Sequence, residues 1–184
     1  MKEELLRLFI AINFPDDIKL RLSQLTDELK KNTVRGCFTR KDNFHLTLAF
    51  IGETRHKEEV IKAMDYGVEM AETEPFDLNI GGFGRFKGRD GDIFWVGVEN
   101  NPALSGLYEA LKKELKKYEF KVDEKQFKPH LTLGRQVRLK PGYTINDFEK
   151  QIPSLTVHTK GISLMKSERI EGRLVYTELY YKNL

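Results

Sequence analysis

Hydrophobic and polar residues follow two different patterns along this chain. In a strand every second residue shares a face, whereas in a helix the residues of one face lie three or four positions apart. Alternating or continuous apolar runs predict strands at residues 7–14, 38–51, 76–86, 93–99, 127–137, 155–165 and 174–181. Helical spacing predicts helices at residues 16–31, 58–72, 103–118 and 146–151. Regular secondary structure is therefore expected over most of the chain.

Turn and capping residues mark several of the predicted boundaries. Pro15 and the two aspartates after it begin the first predicted helix, and Asn101 with Pro102 begins the third. The charged, glycine-containing stretch at residues 87–92 is predicted to be the turn of a hairpin. A second charged turn, at residues 166–173, is predicted to join the last two strands.

Two of the predicted strands contain the same four residues. The tetrapeptide His-Leu-Thr-Leu begins at His45 and again at His130, 85 positions later. Strand alternation places each histidine on the same face as its threonine, Thr47 or Thr132, with the leucines on the other face. We expect the leucines to anchor each strand in the core. The two polar pairs are then free to face one common groove.

The repeat also predicts the architecture. One copy of the tetrapeptide lies in each half of the predicted order strand-helix-strand-helix-strand-strand-helix-strand-helix-strand-strand. A period of 85 residues is too long for a solenoid and favours an internal duplication. We therefore expect an α+β fold over residues 1–184. It is predicted to be a single domain of two similar antiparallel sheet lobes, with helices outside and the repeated strands along a central groove.

Composition narrows the class of protein. The 184 residues are 40% hydrophobic and 32% charged, which is typical of a globular domain. A net charge of +3 permits an anionic partner but is weaker than the charge of a dedicated nucleic-acid binder. No apolar run is long enough to cross a bilayer, and the first residues lack the pattern of a signal peptide. With Cys37 as the one cysteine, we expect a cytoplasmic protein without disulfides or membrane contact.

Two histidines in one groove suit acid-base chemistry on an anionic centre. Histidine titrates near neutrality, so one ring can accept a proton while the other donates one. The threonine hydroxyls can stabilise anionic oxygens between the rings. Zinc binding is the alternative, but a catalytic zinc usually has three protein ligands, and neither tetrapeptide contains a carboxylate. We therefore expect no metal, although acidic residues from elsewhere in the fold leave that alternative open.

The surrounding residues resemble a known family. The matching stretches read RLFIAINFP, NFHLTLAFIGE, FKPHLTLGR and ISLMKSERIEGRLVYTEL. Paired H-x-T-x motifs in strands are similar to those of the 2H phosphoesterases. The flanking residues resemble the RNA 2′,3′-cyclic phosphodiesterase branch, also called the 2′-5′ RNA ligase-like proteins. The resemblance covers Arg7 to Tyr180.

The resemblance implies an activity and roles for five residues. It implies hydrolysis of a 2′,3′-cyclic phosphate at an RNA end to a 2′-phosphate, without a metal or organic cofactor. By position His45 would be the proton donor and His130 the proton acceptor. Thr47 and Thr132 would bind the phosphate, and Arg135 would contact it as well. RNA ends or small cyclic-phosphate nucleotides are the expected partners, and a monomer is the expected state.

Two other functions remain open. A reversible 2′-5′ RNA ligase would run the same acid-base step in reverse, and the sequence does not exclude it. A module that binds RNA ends without turnover would also account for the basic charge.

Further aromatic and histidine residues complete the sequence-based predictions. Relatives often carry a tryptophan before the first motif, where this chain has Phe38, so Phe38 and Tyr143 are taken as candidates for stacking on a base. Phe50 is predicted to be in the core because alternation places it on the leucine face. His56 and His158 are interpreted as surface residues.

Overall fold

The computed structural model describes residues 4–184. Its α-helices are α1 (Asp16–Lys31), α2 (Lys57–Ala71), α3 (Pro102–Lys117) and the short α4 (Ile145–Glu149). Its strands are β1 (Leu6–Asn13), β2 (Thr33–Phe38), β3 (His45–Thr54), β4 (Phe76–Phe86), β5 (Asp92–Val98), β6 (His130–Leu139), β7 (Leu155–Thr159), β8 (Gly161–Ile170) and β9 (Arg173–Asn183). A single 3-10 turn, Lys41–Asn43, precedes β3.

The strands form two antiparallel sheets, and each sheet contains one of the repeated tetrapeptides. The first sheet has the order β3-β1-β8-β9 and the second the order β2-β6-β5-β4-β7. We call them the first lobe and the second lobe. The tetrapeptide of the first lobe begins its edge strand β3, and that of the second lobe begins β6, between β2 and β5. Strands β3 and β6 contact each other where the lobes meet. The predicted α+β fold with two antiparallel sheets is therefore confirmed.

A hydrophobic core joins both lobes to the helices. Its members include alternate residues of the motif strands, namely Leu46 and Leu48 of β3 and Leu131 and Leu133 of β6. The predicted role of the tetrapeptide leucines as anchors is thus confirmed. Helices α2 and α3 pack closely at Gly67, where a Cβ would lie 2.8 Å from the Cδ2 of Leu111. This burial of apolar surface fixes the backbone from which the polar residues of the motifs project.

The structure corrects the predicted elements in several places, and the strand predicted at 38–51 begins only at His45, after the 3-10 turn. Residues 33–38 form strand β2, which the sequence did not predict because its residues, TVRGCF, include a glycine and an arginine and bury little. The run at 155–165 divides into β7 in the second lobe and β8 in the first. Both strands bury an inner face, so their hydrophobicity does not reveal the change of sheet. The predicted turn at 166–173 shrinks to Glu171 and Gly172, both with positive φ, as in a two-residue hairpin turn.

The lobes are also not the two halves of the sequence. Strands β8 and β9, from the end of the chain, complete the first lobe beside β1, and β2 completes the second lobe beside β6. The chain therefore crosses between the lobes several times. The expected pairing of contiguous halves was wrong, although each lobe does hold one motif strand.

Candidate active site

His45 begins β3 and lies directly opposite Asn13 of β1. Its Nδ1 is 2.8 Å from the main-chain oxygen of Asn43, and its Nε2 is 2.9 Å from Oγ1 of Thr47. A carbonyl only accepts hydrogen bonds, so Nδ1 carries the proton of the neutral ring. The Thr47 hydroxyl then donates to Nε2. The rings of Phe9 and Tyr176 enclose the imidazole, with centroids 4.8 and 5.2 Å away.

These surroundings disfavour a charged His45. Burial lowers the pKa of His45 to about 4, and the positive charges of Lys19 and Arg135 act in the same direction. The hydrogen bond to the Asn43 carbonyl opposes this shift in pKa. His45 is therefore neutral at pH 7 in the ligand-free protein.

His130 begins β6 and has the same kind of anchor. Its Nδ1 donates to the main-chain oxygen of Lys128 at 2.6 Å, again two residues upstream. Phe86 and Trp95 pack against the ring at centroid distances of 5.2 and 5.9 Å. Burial lowers the pKa of His130, and the charges of Arg135 and Lys128 contribute to the lowering. Among residues 4–184, no side chain hydrogen-bonds its Nε2.

The two anchors fix the same tautomer in both motifs. A carbonyl two residues before each histidine holds the proton on Nδ1, which leaves Nε2 as the reactive nitrogen. Thr132 follows His130 on the same face, and within the described part of the chain its hydroxyl has no hydrogen-bond partner. The Thr132 main-chain oxygen accepts a hydrogen bond of 2.7 Å from the Thr39 hydroxyl, which ties β6 to the segment before β3.

A bulge in β6 brings Arg135 to the same face as His130. Simple alternation would turn Arg135 into the core. The pairing of β5 with β6 shifts at Leu133, so Leu133 and Gly134 are both buried and Arg135 is exposed. The Arg135 charge lowers the pKa of His45, His130 and Tyr176. Its guanidinium is thus close enough to act electrostatically on an imidazole from each lobe.

A second bulge, in β3, overturns the prediction for Phe50. The pairing of β1 with β3 shifts at Leu48, and Phe50 then lies opposite Phe9. Asn13 and Phe9 share a face of β1, and His45 lies opposite Asn13, so Phe50 is on the histidine face. Its side chain is 67% exposed, and its ring is 6.2 Å from that of Phe9. The predicted core position was wrong because alternation does not continue through a bulge.

Several aromatic residues of the site were missed by the sequence analysis. They come from strands distant in sequence from the motifs: Phe9, Tyr176, Phe86 and Trp95. One signal was available, because a Cβ at Gly84 would collide with the Trp95 indole, and a glycine-rich strand can indicate such close packing.

The other singled-out residues lie elsewhere. Phe38 and Tyr143 pack against the core. His158 is on the surface and hydrogen-bonds Asp77 at 2.8 Å. His56 precedes α2, with its Nδ1 3.5 Å from Glu59. The interpretation of both histidines as surface residues is confirmed.

In the described range 4–184, no group of three or more His, Cys, Asp or Glu side chains is placed to hold a metal ion. No helix of that range combines the length and apolar character needed to span a membrane.

Comparisons with known proteins agree with this geometry. A Thermotoga maritima protein named RNA 2′,3′-cyclic phosphodiesterase is 35% identical over 132 residues, which are 71% of this chain and 70% of the relative. A Methanothermobacter thermautotrophicus protein of the same name is 30% identical over 94% of this chain and 96% of its own length.

Solved structures share the fold of this chain, and a family model matches most of its length. E. coli LigT complexed with 3′-AMP shares the fold, with a TM-score of 0.78, 24% identity, and coverage of 98% of this chain and 99% of LigT. TT0787 of Thermus thermophilus has a TM-score of 0.74 at 26% identity, with 97% of each chain covered. The model of the 2′-5′ RNA ligase superfamily matches residues 14–171. The chain therefore belongs to the 2′-5′ RNA ligase superfamily, the 2H phosphoesterases that its two motifs resemble.

Proposed function

We propose that this protein is an RNA 2′,3′-cyclic phosphodiesterase that opens the cyclic phosphate at an RNA end to a 2′-phosphate. One observation carries the proposal: two imidazoles, one from each lobe, are anchored through Nδ1 by a main-chain carbonyl, and the charge of Arg135 acts on both. The relatives named RNA 2′,3′-cyclic phosphodiesterase support it.

The proposed reaction needs one base and one acid. His130 has no partner on Nε2 among the described residues, and its lowered pKa keeps it neutral, so it accepts a proton from water as the water oxygen attacks phosphorus. The bond between phosphorus and the 3′-oxygen breaks. Protonated His45 gives its Nε2 proton to that oxygen, which leaves a 3′-hydroxyl and a 2′-phosphate. Thr47, Thr132 and Arg135 hold the non-bridging oxygens.

The acid role requires that His45 gain a proton in the complex. Its pKa of about 4 describes the ligand-free groove. A phosphate anion between the rings favours the imidazolium and raises that pKa, since an opposite charge stabilises the charged form. In the protonated ring, Nε2–H would donate to Thr47 or to the leaving oxygen. Substrate binding would thus create the acid.

The expected cofactors, partners and location belong to the same proposal. We propose that the reaction needs no metal or organic cofactor, because two imidazoles and the Arg135 charge can supply the base, the acid and the stabilisation of the anionic oxygens. RNA ends or small cyclic-phosphate nucleotides are the proposed substrates. The single cysteine supports a cytoplasmic location, and a monomer is the proposed state.

The test is product analysis in excess chelator. The protein is incubated with a 2′,3′-cyclic nucleotide and with an oligonucleotide that ends in this group, and the phosphomonoester is identified. A 2′-phosphate formed in the presence of chelator is expected. A requirement for added metal would count against the mechanism, and a 3′-phosphate product would count against the assignment of the broken bond.

Ligation is the second candidate, favoured by the name of the matching family. It uses the same proton transfers with a 5′-hydroxyl in place of water. His130 takes the proton of that hydroxyl as its oxygen attacks phosphorus, the bond between phosphorus and the 3′-oxygen breaks with protonation by His45, and a 2′-5′ linkage forms. Incubating cyclic-phosphate RNA with an RNA that carries a 5′-hydroxyl tests it, with the linkage identified by digestion. A module without turnover predicts binding by the parent protein and no product in either assay.

A further inference from the structure

We infer that Lys128 forms a second anion subsite, which binds the phosphodiester joining the terminal nucleotide of an RNA substrate to the rest of the strand. The inference rests on the proposed function. It would make Lys128 the residue that distinguishes an RNA end from a free cyclic mononucleotide.

Lys128 is held beside His130 by two kinds of contact. Its main-chain oxygen accepts the hydrogen bond from Nδ1 of His130. Its ammonium lies 4.6 Å from the ring centroid of Trp95 and 5.7 Å from that of Phe86. These are the same two rings that pack against the His130 imidazole. The positive charge therefore has a defined place next to the proposed base.

The aromatic platform under Lys128 is rigid. Trp95 is only 7% exposed, and its indole lies over Gly84, where any Cβ would collide with it. The Nζ of Lys128 and the ring of His130 both lie within 6 Å of the Trp95 centroid. The separation of the two groups is thereby limited, so a strand whose terminal phosphate is at His130 keeps its next phosphate within reach of Lys128.

The charge of Lys128 is not paired with a carboxylate in the described part of the chain. Lys112 also lies over an aromatic ring, that of Tyr108 at 5.8 Å, but it forms an ion pair with Glu124 at 3.6 Å. Lys128 has no carboxylate within ion-pair distance among residues 4–184. It is exposed and available to an anion. An ammonium is a compact point charge that binds a single phosphate without demanding a fixed orientation.

The reacting phosphate already has other partners in the proposed complex. Thr47, Thr132 and Arg135 serve it, whereas the ammonium of Lys128 lies over the Trp95 and Phe86 rings that pack against the imidazole. Lys87, directly after Phe86, is exposed and adds a second positive charge beside the same ring. A phosphodiester upstream of the terminal nucleotide is the ligand that fits this place. A cyclic mononucleotide has no such phosphate.

The test compares two substrates with the same terminal base. One is a nucleoside 2′,3′-cyclic phosphate, and the other is an oligonucleotide ending in that nucleotide. We expect Lys128→Met to lower the ratio of kcat/KM for the oligonucleotide to kcat/KM for the mononucleotide about tenfold, mainly through KM. Lys128→Arg should keep most of the ratio, since arginine also stacks on aromatic rings. Lys112→Met is the matched control and should leave the ratio unchanged.

Salt gives an independent measurement. For the oligonucleotide, the slope of log kcat/KM against log salt concentration should become shallower by about 0.7 in Lys128→Met, the value for one phosphate contact on a single strand. For the mononucleotide the slope should not change.

The outcomes separate this inference from the proposed function. Equal losses on both substrates, or no loss on either, would overturn the subsite at Lys128 while the phosphodiesterase stands. A parent that hydrolyses neither substrate would overturn the proposed function. In that event the subsite is tested by binding. The dissociation constant for an RNA with a 2′-phosphate end is measured for the parent and for Lys128→Met, and equal values overturn the subsite.

Discussion

The two motif histidines share a tetrapeptide, a strand position and an anchoring carbonyl, yet their surroundings differ. In the first lobe, Phe9 and Tyr176 enclose His45, and Thr47 bonds its Nε2. In the second, Nε2 of His130 has no partner within the described residues. Burial lowers the pKa of both rings, and for His45 the value falls to about 4. The repeat thus sets the geometry, while the neighbouring strands set the proton affinity.

The positions five residues beyond each histidine show a second difference. A bulge exposes both of them on the face of the motif histidine, Phe50 in the first lobe and Arg135 in the second. The same backbone irregularity therefore presents an apolar ring in the first lobe and a cation in the second.

The largest expected effect is loss of turnover when either imidazole is removed. His45→Ala and His130→Ala should each lower kcat for a 2′,3′-cyclic nucleotide by about 10²- to 10⁴-fold, the usual contribution of a positioned acid or base. Binding of a 2′-phosphate product should persist. His158→Ala removes a surface histidine and serves as the control. Near-parental turnover in either motif variant would refute the two-histidine mechanism.

Arg135 is expected to have the next largest effect. Arg135→Met should lower kcat/KM by about 10²-fold, because one preorganised charge on the phosphate oxygens is lost. Its charge lowers the pKa of both histidines, so the variant should also shift the pH-rate profile to higher pH. Arg138→Met, on the same strand and exposed, is the control. A profile that does not move would mean that Arg135 lies outside the groove in solution.

The lowered pKa of His45 should make the free energy of unfolding depend on pH in the acid range. Its folded pKa of about 4 lies below the usual 6.5, so the unfolded chain takes up the proton first as pH falls. The free energy of unfolding should therefore drop by about 3 kcal/mol between pH 6.5 and pH 4 on account of this residue. Above pH 6.5 the ring is neutral in both states and contributes no such dependence.

Denaturant unfolding at pH 7, 5.5 and 4 measures this difference. His45→Gln should lack that part of the pH dependence. The contribution of acidic side chains that titrate in the same range is common to both proteins, so it cancels when the variant is compared with the parent. If the free energy of unfolding depends on pH equally in the parent and in His45→Gln, the ring is protonated as easily in the folded chain as in the unfolded one.

The sequence predicted those features that depend on local residues. His45 and His130 were found because the tetrapeptide repeats, and their leucines were assigned to the core because a strand alternates. Arg135 came only from the family resemblance, since alternation alone would have buried it. Phe50 was misplaced for the same reason, because a bulge depends on the register of the partner strand.

What depends on strand pairing could not be predicted. The aromatic neighbours Tyr176 and Trp95 reach the histidines from strands β9 and β5, and no local pattern states which strands will be adjacent. The division of residues 155–165 between two sheets was hidden because both parts are buried: β7 buries alternate residues, and β8 buries its first five in succession. Local periodicity reports that a face is buried, but not what covers it.

Phe50 should give the smallest effect and the sharpest test of the apolar side of the groove. It is 67% exposed, so Phe50→Ala should change the free energy of unfolding by less than about 0.5 kcal/mol. An exposed ring on the histidine face is placed to stack on a base, so KM for a cyclic nucleotide should rise about fivefold or more. The KM for ribose 2′,3′-cyclic phosphate, which has no base, should not change in this variant. Tyr66→Ala, exposed on helix α2, is the control. An equal rise in KM for both substrates would show that Phe50 acts by shaping the groove rather than by contacting a base.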